Sequence, residues 1–329
     1  MNPDAPLLEV ENLSTRFFTQ RGVVGAVEDV SMHVHEGEAI GIVGESGSGK
    51  SVTALSILRL VPLPGEIVHG RVSLRGIDLL TLPQREMRKV RRDDIAIIFQ
   101  DPSNFLNPVM TIGDQIAEGL KSPRLNKAEV KQLVIDALRS VHIPEAERVA
   151  RYYPFQMSGG MQQRAVIAAA MVRRPLLIIA DEPTTALDAT VQYQILRLLK
   201  ELQSAIGTAL ILISHDLAVI ASICSRIYVM YAAQIVESGP TEQIYHSSAH
   251  PYTRSLLGSI LDPLESKKEL TFLPGSMPNL ASPPSGCRFH PRCPARMDVC
   301  SREEPPPFEV SPGHTAKCWL FVSEARVVQ

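Results

Sequence analysis

The sequence predicts an α/β protein in which a parallel sheet carries a phosphate-binding loop. The glycine-rich stretch 44–51 stands between an apolar run, 39–43, and a helical pattern, 52–60, which is the order strand, loop, helix. A second apolar run, 176–180, ends in two acidic residues, and a third, 209–213, ends in Ser-His-Asp. Because polar residues at the carboxyl ends of parallel strands face one crevice, we expect these strands to share a site.

The composition is ordinary for a globular protein with one large or two modest domains. The 329 residues are 45% hydrophobic and 21% charged, with a formal net charge of −2. This near balance argues against a protein whose main role is to bind nucleic acid. We expect neither a signal peptide nor a membrane-spanning helix, because no apolar run has the required length. Work at a membrane would therefore require docking.

The glycine loop has the chemistry of a nucleotide site. It comprises Gly44, Glu45, Ser46, Gly47, Ser48, Gly49, Lys50 and Ser51, and Val52 follows it. Its glycines let backbone N–H groups point at phosphate oxygens, and the following helix adds the positive end of its dipole. Lys50 can reach the β- and γ-phosphates, and the Ser51 hydroxyl can ligate Mg²⁺. A glycine-rich turn with a chance lysine is the alternative, which the later motifs disfavour.

Polar residues after the two other strands would complete this site. Asp181 and Glu182 follow one strand, and we expect Asp181 to hold Mg²⁺ through water while Glu182 orients the attacking water. A strand end that simply turns into solvent is the alternative interpretation. His215 follows the other strand and could touch the γ-phosphate, although a histidine taken in isolation is more often structural.

An antiparallel β-subdomain is expected over residues 7–36, where β-branched and polar residues alternate. Phe17, at the end of its first strand, could stack on an adenine ring or simply pack in the core. The basic stretch 84–92 could suggest nucleic acid, but a solvated helix face explains it better. These features place the nucleotide-binding domain at residues 1–240.

Two further regions interrupt or follow this core. Helical spacing of apolar residues predicts a helical subdomain at about 101–175, in which Asn126 and Glu129 form a capping box. From residue 241 to 329, proline and serine become frequent, which predicts a loop-rich C-terminal extension. Within that extension the prolines and serines concentrate at 273–286.

A second glycine pair indicates a partner chain. Gly159 and Gly160 follow Ser158 and open a helix, which makes another anion-binding tip. This tip lies far along the helical insertion from the chain's own glycine loop. We infer that it serves a second copy placed head to tail, so that each ATP lies between Lys50 of one chain and Ser158 of the other.

Taken together, these motifs resemble the nucleotide-binding subunit of an ABC transporter, which has a P-loop NTPase fold. The matching segments are the Walker A loop at 44–51, the Q-loop at Gln100, the signature at Met157–Met161, Walker B at Leu177–Glu182, the D-loop Ala186-Leu187-Asp188 and the H-loop at His215. The signature has Met157 and Met161 where Leu and Gln are usual, and neither change removes a phosphate contact.

The resemblance also implies residue roles. Phe17 becomes the aromatic that stacks on adenine, and Asp188 joins the nucleotide site. Gln100 joins Ser51 and Asp181 around Mg²⁺. The residues expected to be catalytic are Lys50, Gln100, Glu182 and His215.

The later part of the chain resembles the oligopeptide/dipeptide import subfamily. The segments that carry this likeness are Gln100-Asp101-Pro102, Leu106-Asn107-Pro108, His250-Pro251-Tyr252-Thr253, and Cys287 with Pro291-Arg292-Cys293-Pro294. The resemblance implies peptide import, with nickel or glutathione as alternative cargo. It implies a second ATP-binding subunit (a paralogue is favoured), two transmembrane permease subunits, an extracytoplasmic substrate-binding protein and a peripheral location at the cytoplasmic face of the inner membrane. A soluble ABC ATPase outside transport is the alternative class.

Four of the five cysteines lie near the end of the chain, at Cys287, Cys293, Cys300 and Cys318. A disulfide is disfavoured in a cytosolic protein. The C-x2-C pairs typical of zinc are absent from this spacing. A [4Fe–4S] cluster takes four thiolates at irregular spacing, and some members of the resembled subfamily carry one. A cluster, a zinc ion and no metal all stay open.

Overall fold

The computed structural model describes residues 5–120, 125–185, 187–258, 275–322 and 326–327. The chain begins with Leu8–Thr19 (β1), Gly22–Val34 (β2), Ala39–Val43 (β3), Lys50–Ile57 (α1), Gly65–Leu74 (β4) and Ile77–Asp78 (β5). It continues with Gln84–Asp93 (α2), Ile95–Ile98 (β6), Ile112–Gly119 (α3), Lys127–Ser140 (α4), Ala146–Val149 (α5), Gly159–Met171 (α6), Leu177–Asp181 (β7) and Ala189–Ile206 (α7). It ends with Ala209–Ser214 (β8), Leu217–Ile223 (α8), Arg226–Tyr231 (β9), Gln234–Pro240 (β10), Thr241–His246 (α9), Pro251–Gly258 (α10), Phe308–Ser311 (β11), His314–Ala316 (β12) and Arg326–Val327 (β13).

The chain divides into two compact units. The first unit comprises Met1–His35, Ala39–Thr81 and Leu212–Gln329, and the second comprises Glu36–Glu38 and Leu82–Ile211. Strand β8 begins in the second unit and ends in the first. The domain boundary expected at residue 240 falls inside the first unit, and the helical subdomain expected at about 101–175 falls inside the second.

In the first unit, four antiparallel strands form the expected β-subdomain in the order β2-β1-β4-β5. Leu8 on the central strand β1 lies opposite Val34 on one side and Leu74 on the other. Leu8, Val10 and Leu13 are buried. The alternation read from the sequence therefore places the apolar face of this sheet in the core.

A second sheet of the first unit carries the glycine loop. Its strands run in the order β13-β11-β12-β10-β9-β3. Strands β3 and β9 are parallel, with Val43 opposite Val229, whereas β10 and β12 are antiparallel, with Glu237 opposite Ala316. Because β3 is buried along Ile40–Val43, it fixes the point from which the glycine loop leaves the sheet.

The C-terminal extension has more regular structure than its proline and serine content predicts. Leu273 and Pro274 of the expected loop lie outside the described residues. The extension forms helices α9 and α10, and its strands β11, β12 and β13 join the sheet that carries the glycine loop. The reason is a buried polar cluster around Glu237. Its carboxylate accepts hydrogen bonds from the backbone N–H groups of Ala249 (2.6 Å) and His250 (3.0 Å) and lies 2.7 Å from His314 Nε2.

In the second unit, β6 and β7 are parallel, with Ile98 opposite Ala180. The predicted capping box opens α4, since Asn126 Oδ1 accepts the N–H of Glu129 (3.0 Å) and Glu129 Oε2 accepts the N–H of Asn126 (2.7 Å). Arg164 on α6 donates to the Val141 carbonyl at 2.8 Å, which ties α6 to the end of α4. None of the helices in the described ranges has both the length and the apolar character needed to cross a membrane.

Candidate functional site

The glycine loop of the first unit takes a conformation that side chains would block. Gly47 and Gly49 have φ of 80° and 107°. A Cβ atom at Gly49 would lie 2.4 Å from the Ala26 carbonyl oxygen, and one at Gly44 would lie 2.2 Å from that of Met230. Backbone therefore approaches the loop so closely that only glycine fits at these two positions. The sequence predicted this requirement from the motif alone.

Polar groups of the loop point inward. Lys50 Nζ donates to the carbonyl oxygens of Gly44 (2.7 Å) and Glu45 (2.9 Å), and the side chain is only 5% exposed. Ser48 Oγ is fully buried and, among the residues that the structure describes, has no hydrogen-bond partner. A buried hydroxyl without a partner is unusual, and a phosphate oxygen is a suitable acceptor for it. Ser51, the next loop residue with a predicted role, is exposed.

Two side chains from the C-terminal extension contact the loop at Glu45. The backbone N–H of Glu45 donates to the Tyr252 hydroxyl at 2.8 Å. Arg292 Nη1 lies 3.1 Å from both carboxylate oxygens of Glu45. Sequence reasoning missed both contacts, although Tyr252 and Arg292 lie in two of the segments that marked the import subfamily. Those segments were therefore the available signal.

Phe17 and His215 are the other predicted site residues of the first unit. Phe17 is half-buried on β1, and a Cβ at its strand neighbour Gly65 would lie 2.7 Å from the Phe17 ring. His215 is exposed and stands directly between β8 and α8. Asp216 caps α8 by accepting the N–H of Ala218 at 2.8 Å. Adenine stacking by Phe17 and a phosphate contact by His215 stay predictions.

The signature and the D-loop lie together in the second unit. They line an open groove of ≈ 420 Å³ that includes Ser158, Gly159, Gly160 and Asp188. Ser158 caps α6 by accepting the N–H of Met161 at 3.4 Å, and Asp188 caps α7 by accepting the N–H of Val191 at 3.0 Å. Two helix N-termini therefore open onto one groove, which favours anions. Ala186 of the D-loop lies outside the described residues.

The acidic strand end of the second unit is formed by β7. Asp181 is its last residue and is buried, whereas Glu182 leaves the strand with a φ of 46°. Thr185 Oγ1 donates to Glu182 Oε2 at 2.8 Å, which holds the carboxylate beside the turn. Gln100 follows the neighbouring parallel strand β6 and is exposed. Gln100 and the two acids thus leave the same edge of this strand pair.

The predicted Mg²⁺ ligands are divided between the units. Ser51 belongs to the first unit, and Gln100 and Asp181 belong to the second. Among the described residues, no three His, Cys, Asp or Glu side chains are close enough together to hold a metal ion. The predicted set uses a hydroxyl, an amide and one carboxylate, and it stays a prediction.

The four late cysteines are free thiols that influence one another electrostatically. Burial raises the pKa of the Cys287 thiol to about 12 and that of Cys318 to about 11, and the neighbouring thiols add to both shifts. Burial also raises the pKa of Cys293. Cys300 Sγ accepts the backbone N–H of Met297 at 3.4 Å. All four thiols belong to the first unit, where the N–H of Cys287 also donates to the Cys300 carbonyl oxygen at 2.8 Å.

Comparison with known proteins gives the family. The ABC transporter family model matches residues 27–185, and the model of the oligopeptide/dipeptide transporter C-terminal region matches residues 236–300. A probable peptide ABC transporter ATP-binding protein of Sinorhizobium fredii is 48% identical over 97% of this chain and 96% of its own length. The oligopeptide transport ATP-binding protein OppD of Bacillus subtilis is 46% identical over 98% and 91%.

Solved structures agree with these relatives. A dimeric ATP-binding cassette bound to ADP and phosphate is 29% identical, with a TM-score of 0.64 over 71% of this chain and 98% of that one. The predicted P-loop NTPase fold of the ABC type is confirmed. The chain therefore belongs to the family of ABC transporter ATP-binding proteins, and it is an ATPase that uses ATP and Mg²⁺ to drive transport through membrane permease partners.

Proposed function

We propose that this chain hydrolyses ATP at the cytoplasmic face of the inner membrane and so powers uptake of di- and oligopeptides. The observation that carries the nucleotide site is the glycine loop, where Gly44 and Gly49 admit no Cβ and Lys50 turns inward. The peptide cargo is supported by the match to the oligopeptide/dipeptide transporter C-terminal region and by the names of the relatives.

In this proposal the glycine loop binds the phosphates of ATP. Backbone N–H groups along Gly44–Ser51, the buried Ser48 hydroxyl and the Lys50 ammonium supply the donors. The half-buried ring of Phe17 stacks on adenine. Mg²⁺, held by Ser51, Gln100 and Asp181, offsets the negative charge of the phosphates.

Glu182 and His215 carry the chemical step in this proposal. Glu182 orients the attacking water and accepts its proton, while His215 and Lys50 stabilise charge that develops on the γ-phosphate. The hydrogen bond from Thr185 supports this role for Glu182, since it limits the directions in which the carboxylate can point. Gln100 would hold Mg²⁺ together with Ser51 and Asp181 and belongs to the catalytic set in this proposal.

Glu182→Gln tests this assignment. The amide keeps the size of the side chain but cannot accept the proton, so kcat should fall about 100-fold or more while ATP still binds. Binding and turnover are measured separately, with a fluorescent nucleotide and with phosphate release. Glu242→Gln, at an 88% exposed glutamate, is the matched control and should leave both values unchanged. Near-normal turnover in Glu182→Gln would refute the assignment.

A second ATP-binding subunit completes the site in this proposal. The groove that joins Ser158, Gly159, Gly160 and Asp188 supports it, because two helix N-termini there face outward from the second unit. A paralogue is favoured as the partner, together with two permease subunits and an extracytoplasmic substrate-binding protein. Cysteines introduced at Ser51 and at the partner cassette's signature loop should crosslink only with ATP. Crosslinking that ignores nucleotide would contradict this arrangement.

The cargo is tested in vesicles that hold the assembled transporter. ATP hydrolysis should rise when the substrate-binding protein is loaded with a dipeptide or a longer peptide. Stimulation by nickel or glutathione alone would replace the peptide assignment. Hydrolysis that never responds to any loaded binding protein or permease would favour a soluble ABC ATPase outside transport.

We propose further that Cys287, Cys293, Cys300 and Cys318 hold a [4Fe–4S] cluster. Their position within residues 287–318 of one unit and the N–H that Met297 donates to Cys300 Sγ support this, since such hydrogen bonds tune cluster sulfurs. A cluster binds each thiolate to a different iron, so it does not need the tight ligand group that a single ion requires. Protein purified without oxygen should carry about four irons with acid-labile sulfide, and Cys293→Ser should lose them. The control Cys224→Ser should keep them, and a colourless protein with stoichiometric zinc would overturn the proposal.

A further inference from the structure

Glu45 is the residue of the glycine loop to which two side chains of the C-terminal extension bind. Its N–H donates to the Tyr252 hydroxyl (2.8 Å), and its carboxylate faces Arg292 Nη1 (3.1 Å to each oxygen). These partners are 207 and 247 residues away along the chain. All three residues belong to the first unit. The loop is therefore fixed by the last part of the chain and not only by its own turn.

The remaining polar group of Glu45 acts on the loop itself. Its carbonyl oxygen accepts a hydrogen bond from Lys50 Nζ (2.9 Å) and another from the N–H of Ser48 (3.2 Å). One residue, Glu45, thus connects Tyr252 and Arg292 on one side with the phosphate-binding lysine on the other. A shift of Glu45 would move the carbonyl that positions the Lys50 ammonium.

Tyr231 contacts both Arg292 and Tyr252, the two side chains that bind Glu45. Arg292 Nη1 contacts the Tyr231 hydroxyl at 3.4 Å, and its guanidinium lies 5.8 Å from the centre of that ring. The Tyr231 and Tyr252 rings are 4.6 Å apart between centroids. The Arg292 side chain is 8% exposed, so the ion pair with Glu45 is shielded from solvent and its geometry is fixed by packing.

We propose that Arg292 and Tyr252 are positioning residues for ATP binding, which hold the glycine loop through Glu45 in the shape that receives the phosphates. Neither side chain needs to touch ATP. Holding donors in place before the ligand arrives raises affinity without adding contacts. This inference rests on the proposed role of the glycine loop as the nucleotide site.

The test uses the full chain and measures ATP affinity, kcat, KM and thermal unfolding. Arg292→Ala should weaken ATP affinity and raise KM on the order of tenfold or more, in keeping with small misplacements of binding groups. Tyr252→Phe removes only the acceptor of the Glu45 N–H and should raise KM by a few-fold, roughly threefold. Turnover at saturating ATP should change less than KM, because ATP itself can restore the loop.

Arg292→Lys is the conservative variant. Nη1 of Arg292 contacts both carboxylate oxygens of Glu45 and the Tyr231 hydroxyl. A lysine ammonium keeps the charge opposite Glu45 but loses the guanidinium over the Tyr231 ring, so the lysine variant should recover part of the lost affinity. Glu45→Ala should lose about as much affinity as Arg292→Ala, and the double variant should lose little more, because both remove one interaction.

Two controls separate the possible failures. Arg148 also pairs with a glutamate (Glu145, 2.9 Å) and lies 5.8 Å from a tyrosine ring, but it is 62% exposed, so Arg148→Ala should leave ATP affinity unchanged. Lys50→Ala should abolish tight ATP binding, and if it does not, the nucleotide site itself is wrongly placed. If Lys50→Ala loses binding while Arg292→Ala and Tyr252→Phe lower only the melting temperature, the two residues are merely structural and the positioning proposal is overturned.

Discussion

Two helices in this protein begin after glycine-rich turns, and they begin differently. Helix α1 follows Gly49, which has a φ of 107° and no side-chain cap, and Gly44 and Gly49 of its loop lie close to distant backbone. Helix α6 follows Ser158, whose hydroxyl caps the helix locally. The α1 loop is bound at Glu45 by Arg292 of the C-terminal extension, whereas the α6 turn lines an open groove.

This difference shows two ways to prepare N–H groups for an anion. At α1 the surrounding fold fixes the loop, so the donors are set before ATP arrives. At α6 the serine satisfies part of the helix end, and the open groove leaves space for a partner to complete the site. Changes at α1 should therefore disturb folding and ATP binding together, while changes at α6 should leave folding nearly intact.

The largest contrast is expected from glycine-to-alanine substitution at the two turns. Gly49→Ala places a Cβ 2.4 Å from the Ala26 carbonyl at a strained φ, so the free energy of unfolding should fall by about 2 kcal/mol. ATP affinity should fall at least about tenfold, because the loop must shift. Calorimetric melting and nucleotide titration measure the two effects.

The matched change is Gly159→Ala, where the nearest atom to a new Cβ is 3.7 Å away. Alanine favours the helical conformation by up to about 1 kcal/mol over glycine. Stability should therefore stay the same or rise slightly. If Gly49→Ala and Gly159→Ala lowered the free energy of unfolding equally, the proposed difference between the α1 loop and the α6 turn would be wrong.

A second contrast is expected from pH. Burial lowers the pKa of His250 to about 4, with Arg254 acting in the same direction and Glu237 opposing it. His250 binds a proton near pH 6.5 in the unfolded chain but only near pH 4 in the folded chain. The free energy of unfolding should therefore decrease as the pH falls from about 6.5 to about 4, and should recover as the pH rises again. The loss attributable to this residue is about 2–3 kcal/mol.

Denaturation midpoints of wild type and His250→Gln across that pH range test this expectation. The variant should show a smaller dependence on pH, whereas His246→Gln, at a 68% exposed neighbour, should follow wild type. The buried extension supports the α1 loop, so ATP affinity should weaken in the same pH range. An unchanged dependence in His250→Gln would assign the acid sensitivity elsewhere.

The smallest effect is expected at the cap of α7, which shares the α6 groove. Asp188→Ala removes the acceptor for the N–H groups of Thr190 (3.1 Å) and Val191 (3.0 Å) and should cost about 1 kcal/mol of stability. Asp188→Asn keeps a capping oxygen and should stay within a few tenths of a kcal/mol of wild type. Equal losses in both variants would mean that the charge, and not the cap, holds this turn.

Local chemistry explains what the sequence could predict. The glycine requirement at Gly44 and Gly49 follows from a short motif, and the capping box at Asn126 follows from two residues three positions apart. Strand alternation likewise placed Leu8 and Val10 in the core. Each of these inferences needs only neighbours along the chain.

The contacts that escaped prediction join distant residues. Tyr252 and Arg292 meet Glu45 across 207 and 247 positions, and neither spacing nor composition encodes such a meeting. The pairing of β12 with β10 was hidden for a similar reason, since a strand of only three residues, His314–Ala316, offers almost no periodic pattern. Its stability comes from the buried Glu237 and not from strand propensity.

The buried carboxylate of Glu237 joins the C-terminal extension to strand β10 of the sheet that carries the glycine loop. A protease that cut after Pro240 would not liberate an autonomous cassette. It would remove β12 from one edge of β10, leave the buried Glu237 carboxylate without the imidazole of His314, and expose backbone hydrogen-bonding groups of β10. Such a fragment would be prone to aggregate, even though it would contain every nucleotide-binding motif of the sequence.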